Sequence, residues 1–294
     1  MADIEDVLCD FLSRFQKEKT KIDYKRDLYN FYRYIDKKFL EVSYDDCKMY
    51  INFLKHKIEK KEIAISTGEK LYSQLYSFFH YLEQHLYIEY NHFKKITKPK
   101  ASRLISKDRI ISWEELDQLI SVLKTYNIRD FSILMLIFTS GLTLQDAVDL
   151  KWNQFVVDNQ ENIGIQFETT KGIRYVKVHK DIWDLIQEYK EKSNEIHLPE
   201  HYVFLNNRGQ KISGRWMRTV IRKACNEAGF KKAYTPRELR HTLAAYALKK
   251  GATAEQVKEQ LGWSQAALAE RYLYTIQELN DNAIDYLNFS LKKE

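Results

Sequence analysis

The sequence predicts a mainly α-helical chain with one small antiparallel β-sheet, in two parts: a small N-terminal helical domain and a larger helical domain that holds the sheet. Three observations point that way. Apolar residues recur at helical spacing through most of the chain, convincing strand patterns are confined to 155–179, and a basic, proline-containing stretch at 94–109 separates two regions that each read as folded. With 44% hydrophobic and 14% aromatic residues, three Pro and nine Gly in 294 residues, disorder, collagen and low-complexity linkers are excluded.

In the first region, Tyr24, Leu28, Phe31, Tyr32 and Ile35 lie on one helical face, Ile51, Leu54 and Ile58 on a second, and Leu71, Leu75, Phe78, Phe79 and Leu82 on a third. The expected boundaries are 1–93 for this helical domain, 94–109 for the connector and 110–294 for the second domain. There, Ser112-Trp113-Glu114-Glu115 is a capping box that opens a helix to about Tyr126. Ile128 to Ser140 reads as a buried helix ending at Gly141, and a tight turn leads into a further helix reaching about Trp152. Strands are expected near 155–157, 163–169 and 173–179, with Thr170-Lys171-Gly172 as the hairpin turn. Helices follow over 181–193 and 213–228, then from Thr235-Pro236-Arg237-Glu238, where Thr can cap and Pro suits the first turn. Thr253 opens a short helix that stops at Gly262, and the last two run over about 264–274 and 276–291.

Charge is localised. The chain carries 47 Lys and Arg against 41 Asp and Glu, a formal +6, and 94–109 alone holds seven basic residues and one acid. Such a connector suits a polyanion, and equally a solvated linker. Cys9, Cys47 and Cys225 are far apart, which supports neither a disulfide framework nor a thiolate zinc site. The eight His are scattered, so no metal or other cofactor is expected. The acidic N-terminus and the shortness of the longest apolar run, 131–142, point to a cytoplasmic protein without membrane partners.

The segments TSGLTLQDAVDLKW, ETTKGIRYVKV, YTPRELRHTLAAYALKKGA and VKEQLGWSQAALAERYLYT resemble, in order and spacing, the signature boxes of the tyrosine recombinase (phage integrase) family. TKIDYKRDLYNFYRYI and SQLYSFFHYLEQ resemble its core-binding domain, so the likeness spans about residues 10 to 280. It implies a helical core-binding (SAM-like) domain followed by a catalytic-type domain, the two closing around duplex DNA with the connector crossing the backbone. The implied chemistry is attack of a tyrosine on a DNA phosphodiester, giving a 3′-phosphotyrosine without metal. Two arginines clamp the scissile phosphate, a hairpin lysine protonates the leaving oxygen, a histidine assists with the nucleophile's proton, and a His or Trp donates a further hydrogen bond.

Carried over residue by residue, Lys171 takes the hairpin lysine's place, Arg240 the second arginine's, Trp263 the His-or-Trp position and Tyr272 the nucleophile's. Two positions depart. Thr143 stands where the family has its first arginine, and Arg237 stands where it has the histidine. Arg237 remains protonated and cannot act as a base, although it shares a helical face with Arg240 and could restore charge. Thr143 with Asp146 is itself a capping box. Trp263 also has a plain packing role over the cap at Gly262, and His241 reads as a packed or hydrogen-bonded neighbour of the pocket.

Candidate phosphate contacts are Lys94, Lys95, Lys98, Lys100, Arg103, Arg215, Arg218, Arg222, Arg237 and Arg240. Three functions follow from the resemblance. The first is a recombinase-derived, sequence-specific double-stranded DNA-binding regulator with lost or impaired cleavage, similar to the recombinase-like lysogeny repressors of SPβ-like phages. The second is an active site-specific recombinase or integrase. The third is an accessory partner of an active recombinase. In the family the C-terminal helix docks into a neighbouring protomer, and Ile276, Leu279, Ile284 and Leu287 form a candidate apolar face for homo-oligomerisation.

Overall fold

The structure, a computed structural model, describes residues 4–100, 105–169, 172–193, 198 and 200–276, with Ile4 and 273–276 described by backbone alone. Three sequence expectations lie outside the described residues: Arg103, Lys171, and the helix over 276–291 with the side chains of Ile276, Leu279, Ile284 and Leu287. The chain divides into two compact units, Met1–Ser102 and Arg103–Glu294.

The first unit is built from α1 (Ile4–Ser13), α2 (Glu18–Ile35), α3 (Tyr44–Glu59) and α4 (Ile65–Gln84). Its core is aromatic: Phe11, Phe31, Phe78, Phe79 and Phe93 are fully buried. They meet mostly edge to face, as Phe31 and Phe79 do at 5.8 Å and 89°, the arrangement that ring quadrupoles favour. The Tyr72 hydroxyl donates to the carbonyls of Phe93 (2.6 Å) and Ile96 (2.9 Å), which ties the start of the basic stretch to α4.

The second unit contains α5 (Trp113–Leu123), α6 (Ile128–Ser140), α7 (Leu144–Asp149), β1 (Phe155–Val157), β2 (Ile163–Thr169), β3 (Gly172–Val178), α8 (Lys180–Lys192), α9 (Gly214–Glu227), α10 (Pro236–Lys249), α11 (Ala254–Leu261) and α12 (Ala267–Ile276). The mainly helical class with one small sheet is as the sequence predicts. The strands lie in the order β1-β2-β3, both pairs antiparallel, with Phe155 opposite Ile165 and Ile165 opposite Val176. The helix expected to run to Trp152 stops at Asp149. Leu150 is extended because its carbonyl accepts from Val203 N–H (2.8 Å), and Lys151 bridges to Tyr202; a 3-10 turn over Trp152–Gln154 follows.

Buried α6 runs through this unit's core, with Ile133, Leu136 and Ile137 fully enclosed. It ends at Gly141, whose φ of 69° is left-handed and whose N–H donates to the Ile137 carbonyl. A Cβ there would lie 2.1 Å from Leu261 Cδ2 and 2.9 Å from Leu243 Cδ2. Glycine therefore satisfies both the turn and the close approach of α10 and α11. Gly141→Ala is expected to cost about 2 kcal/mol, combining left-handed strain with overpacking that the two leucines partly relieve; urea denaturation followed by Trp fluorescence measures it.

Candidate functional site

A second, smaller apolar cluster gathers Ile105, Ala244, Ala245, Val257, Leu261, Ala269 and Tyr272 where α10, α11 and α12 meet. The small side chains of Ala244, Ala245 and Ala269 let α10 and α12 approach closely. Outside contacts fix α10: Thr242 Oγ1 accepts from Ile111 N–H (3.0 Å), the Tyr246 hydroxyl donates to the Ile111 carbonyl (2.9 Å), and Trp113 stacks on Tyr246. The Gln260 side-chain amide donates to the carbonyls of Ser140 (2.9 Å) and Lys177 (2.8 Å), holding the ends of α6 and α11 and strand β3 in one arrangement.

Beside this cluster opens a cavity of about 610 Å³, lined by Ile105, Thr143, Leu144, Arg218, Thr235, Pro236, Arg237, Arg240, His241, Trp263, Leu268, Arg271 and Tyr272. Four of these are arginines and none is a carboxylate. The first turn of α10 also faces it, so the positive end of a 14-residue helix adds to the side-chain charge. The walls suit an oxyanion.

Six expected site residues come together here: Thr143, Arg218, Arg237, Arg240, Trp263 and Tyr272. Thr143 caps α7, its hydroxyl accepting from Asp146 N–H (3.0 Å) while the Asp146 carboxylate accepts from Thr143 N–H (3.3 Å). This side chain is consumed by local structure. Arg240 donates through one terminal nitrogen to the Gly141 carbonyl and through the other to that of Leu261 (3.2 Å). Burial brings its guanidinium down to about 10, against the nearby Asp146 carboxylate, which holds it up. It stays charged at neutral pH, and its fork is aimed by the backbone of two loops. Arg237 is exposed at the mouth.

Tyr272 is buried at 2% exposure. Burial pushes its phenol up to about 12, while Arg271, Arg240 and Arg237 pull the other way. Trp263 stacks on it with ring centroids 5.6 Å apart and planes 10° apart. The Tyr272 hydroxyl is hydrogen-bonded to His241 Nδ1. Burial, with Arg237 next, pushes the His241 imidazole down to about 4, so it is neutral at pH 7 and can accept. The sequence led to a site without a proton acceptor, because Arg237 occupies the histidine position; in the structure His241, one turn further along the same helix, is the imidazole bonded to the Tyr272 hydroxyl.

Arg174 is a second residue that sequence reasoning missed. It projects from β3 beneath Gly262, where a Cβ would lie 2.2 Å from its Cζ, and donates to the Gln260 carbonyl (3.0 Å). Burial lowers it, and Asp146 supports its charge as it does that of Arg240. Asp146 thus serves a cap and two guanidinium groups at once.

The remaining candidates disperse. Of the three α9 arginines, Arg218 lines the cavity, whereas Arg215 and Arg222 are exposed away from it. In the first unit Lys94 pairs with Glu83 (2.7 Å) and Lys98 with Glu69 (3.2 Å), while Lys95 lies over the Tyr90 ring and Lys100 is exposed. Two of the cations expected to meet phosphate are therefore already neutralised by carboxylates. Among the described residues no helix is long and apolar enough to cross a membrane, and no three His, Cys, Asp or Glu side chains gather as metal ligands.

Comparison with known proteins gives a consistent picture. The sequence profile described as "Phage integrase family" matches residues 109–278. A tyrosine recombinase XerC of Halalkalibacterium halodurans is 28% identical over 276 residues, covering 88% of each chain. A tyrosine recombinase XerD of Listeria innocua is 25% identical over 287 residues, covering 92% of this chain and 94% of its own. Among solved structures, the XerH site-specific recombinase bound to palindromic difH substrate superposes with a TM-score of 0.71 at 18% identity, covering 87% of this chain and 76% of that one. A lambda integrase tetramer bound to a Holliday junction gives 0.68 at 16%, covering 90% and 79%. At these identities the structural likeness speaks for the fold.

Proposed function

This chain belongs to the phage integrase family of tyrosine recombinases, and from that premise we propose that it is a double-stranded DNA-binding protein whose cavity grips a backbone phosphate while strand cleavage is severely impaired, serving as a transcriptional regulator, a repressor of a phage or mobile element. One observation carries the reading: cationic walls are retained where a phosphate would sit, yet Thr143, at the first arginine's place, is spent on capping α7. Removing one donor aimed at a developing oxyanion costs about 10²- to 10³-fold in rate. Binding tolerates that loss better, because phosphate contacts add up over many cations.

The division 1–93, 94–109 and 110–294 fits this reading as core-binding domain, DNA-crossing connector and phosphate-gripping domain. Lys171 belongs to it as hairpin acid by family position, and Arg103 as a phosphate contact of the basic connector. Homo-oligomerisation through the segment after α12 has support in an apolar groove of about 320 Å³ between α10 and α11, lined by Leu243, Ala247, Ala252, Val257 and Leu261. The same groove would serve an accessory protein docking on an active recombinase.

The test is to crosslink the protein to DNA in cells and sequence what is captured. Clusters at promoters support a regulator; a single attachment-like site supports an integrase. On a duplex recovered this way, Tyr272→Phe is expected to bind within about 2-fold of the parent, because it removes one hydroxyl that points inward at His241; a fluorescence anisotropy titration checks it. Reversing Lys95 and Lys100 to Glu is expected to weaken binding on all sequences alike. The slope of log K against log salt should flatten by about 1 for each lysine withdrawn from a phosphate.

The second reading, a slow but working recombinase, is favoured by the His241–Tyr272 pair. A duplex nicked beside the cleavage site would then accumulate a covalent Tyr272 adduct.

A further inference from the structure

We infer that His241 is the group that takes the Tyr272 proton when the phenol attacks a phosphodiester, in place of the acceptor lost where Arg237 stands. The inference rests on the reading of the cavity as a phosphate site.

The geometry is direct. Tyr272 Oη is bonded to His241 Nδ1, and Trp263 clamps the phenol ring from one face. Arg237 and Arg240 flank His241 on α10 and line the same cavity. His241 is itself 7% exposed, and its Nε2 has no hydrogen-bond partner among the described residues. Nothing there competes for the imidazole. The charged groups facing it are Arg237, Glu238 and Arg240 on its own helix and Arg109 from the 3-10 turn before α5, with Tyr272 on α12. Burial first, and then the cationic balance of these groups, keeps the resting imidazole unprotonated and the proton on tyrosine. A phosphodiester anion held by Arg237 and Arg240 offsets that charge, so the base strengthens when substrate is present.

In the step itself, a bond forms between Tyr272 Oη and phosphorus while the bond from phosphorus to the leaving oxygen breaks. The Oη proton passes to Nδ1, leaving His241 as imidazolium. The leaving oxygen departs with the bonding pair, and in DNA it takes its proton from an acid, the role that family position gives Lys171.

Bis(p-nitrophenyl) phosphate tests this without a DNA sequence, because its aryl oxide leaves without a proton. The full chain, Tyr272→Phe, His241→Phe and His241→Gln would be followed by nitrophenolate release and intact mass. The parent is expected to gain one aryl phosphoryl group on Tyr272, and Tyr272→Phe none. Both His241 variants should react at least about 100-fold more slowly, the usual worth of a general base. Gln keeps an acceptor oxygen but cannot hold the proton, so its loss separates proton transfer from packing. Equal rates in parent and His241 variants overturn the inference, as does a parent that forms no adduct. Nitrogen NMR of the parent gives a check independent of any variant: the ring proton belongs on Nε2, and a proton on Nδ1 refutes the assignment. Duplex affinity measured on the same four proteins keeps the two readings apart. Unchanged adduct rates with DNA bound sink His241 alone, and no DNA binding sinks the phosphate cavity.

Discussion

Thr143→Arg is expected to raise the rate of covalent adduct formation on a nicked duplex by about 10²- to 10³-fold, the largest gain that one substitution in this chain should produce. The residue sits on the cavity wall beside Leu144, in the turn between Gly141 and α7. From there a guanidinium would reach the volume that Arg237 and Arg240 already line. It would supply a further planar fork where charge builds in the transition state, worth about 3 to 4 kcal/mol of barrier. The substitution also removes the cap on α7, at a cost of about 1 kcal/mol in stability. Catalysis and stability should therefore move in opposite directions, and denaturation of the variant checks the second half. If the variant binds DNA, is destabilised as stated and still forms no adduct, the missing arginine is not what limits cleavage. The block would then lie with Tyr272, whose phenol is buried and held above its ordinary range.

What the sequence disclosed and what it hid divide along chain separation. The caps at Ser112, Thr143, Thr235 and Thr253 were all readable, because a hydroxyl and an acid or amide three residues on is a local signature, and each forms as such. The helix over Ile128–Ser140, its left-handed stop at Gly141 and the three strands were readable for the same reason. Family position brought Arg237, Arg240, Trp263 and Tyr272 to one cavity. Hidden were meetings between distant segments. His241 and Tyr272 are 31 residues apart, Arg240 reaches a carbonyl 99 residues away, and Arg174 lies under a glycine far along the chain. No pattern within a helix announces such contacts. Nor could the charge count of the basic stretch show that Lys94 and Lys98 spend their charge on Glu83 and Glu69.

The pH dependence of stability should carry the mark of His241. Its imidazole, ordinarily near 6.5, is held down at about 4 by burial first and by Arg237, Arg109 and Arg240 after it, with Glu238 opposing. The unfolded chain thus takes up a proton as pH falls through 6.5, whereas the folded chain resists until about 4. Through that interval the unfolded state binds more protons, so stability rises with pH. The contribution is complete above 6.5, is lost progressively between 6.5 and 4, and is constant below. Its full size is about 3 kcal/mol, at 1.36 kcal/mol for each unit of displacement. Other groups titrate in the same range, so the measurement is a difference: parent against His241→Gln, denatured in urea at pH 7, 5.5 and 4. All five tryptophans lie at or beyond position 113, so their fluorescence reports the unit that contains α10. Between pH 7 and 4 the parent should lose about 3 kcal/mol relative to the variant. A difference that stays flat would mean that His241 titrates normally in the folded protein. A normally titrating imidazole could not be buried against Tyr272 in a cavity lined by Arg237 and Arg240, and the cavity would have to be rebuilt.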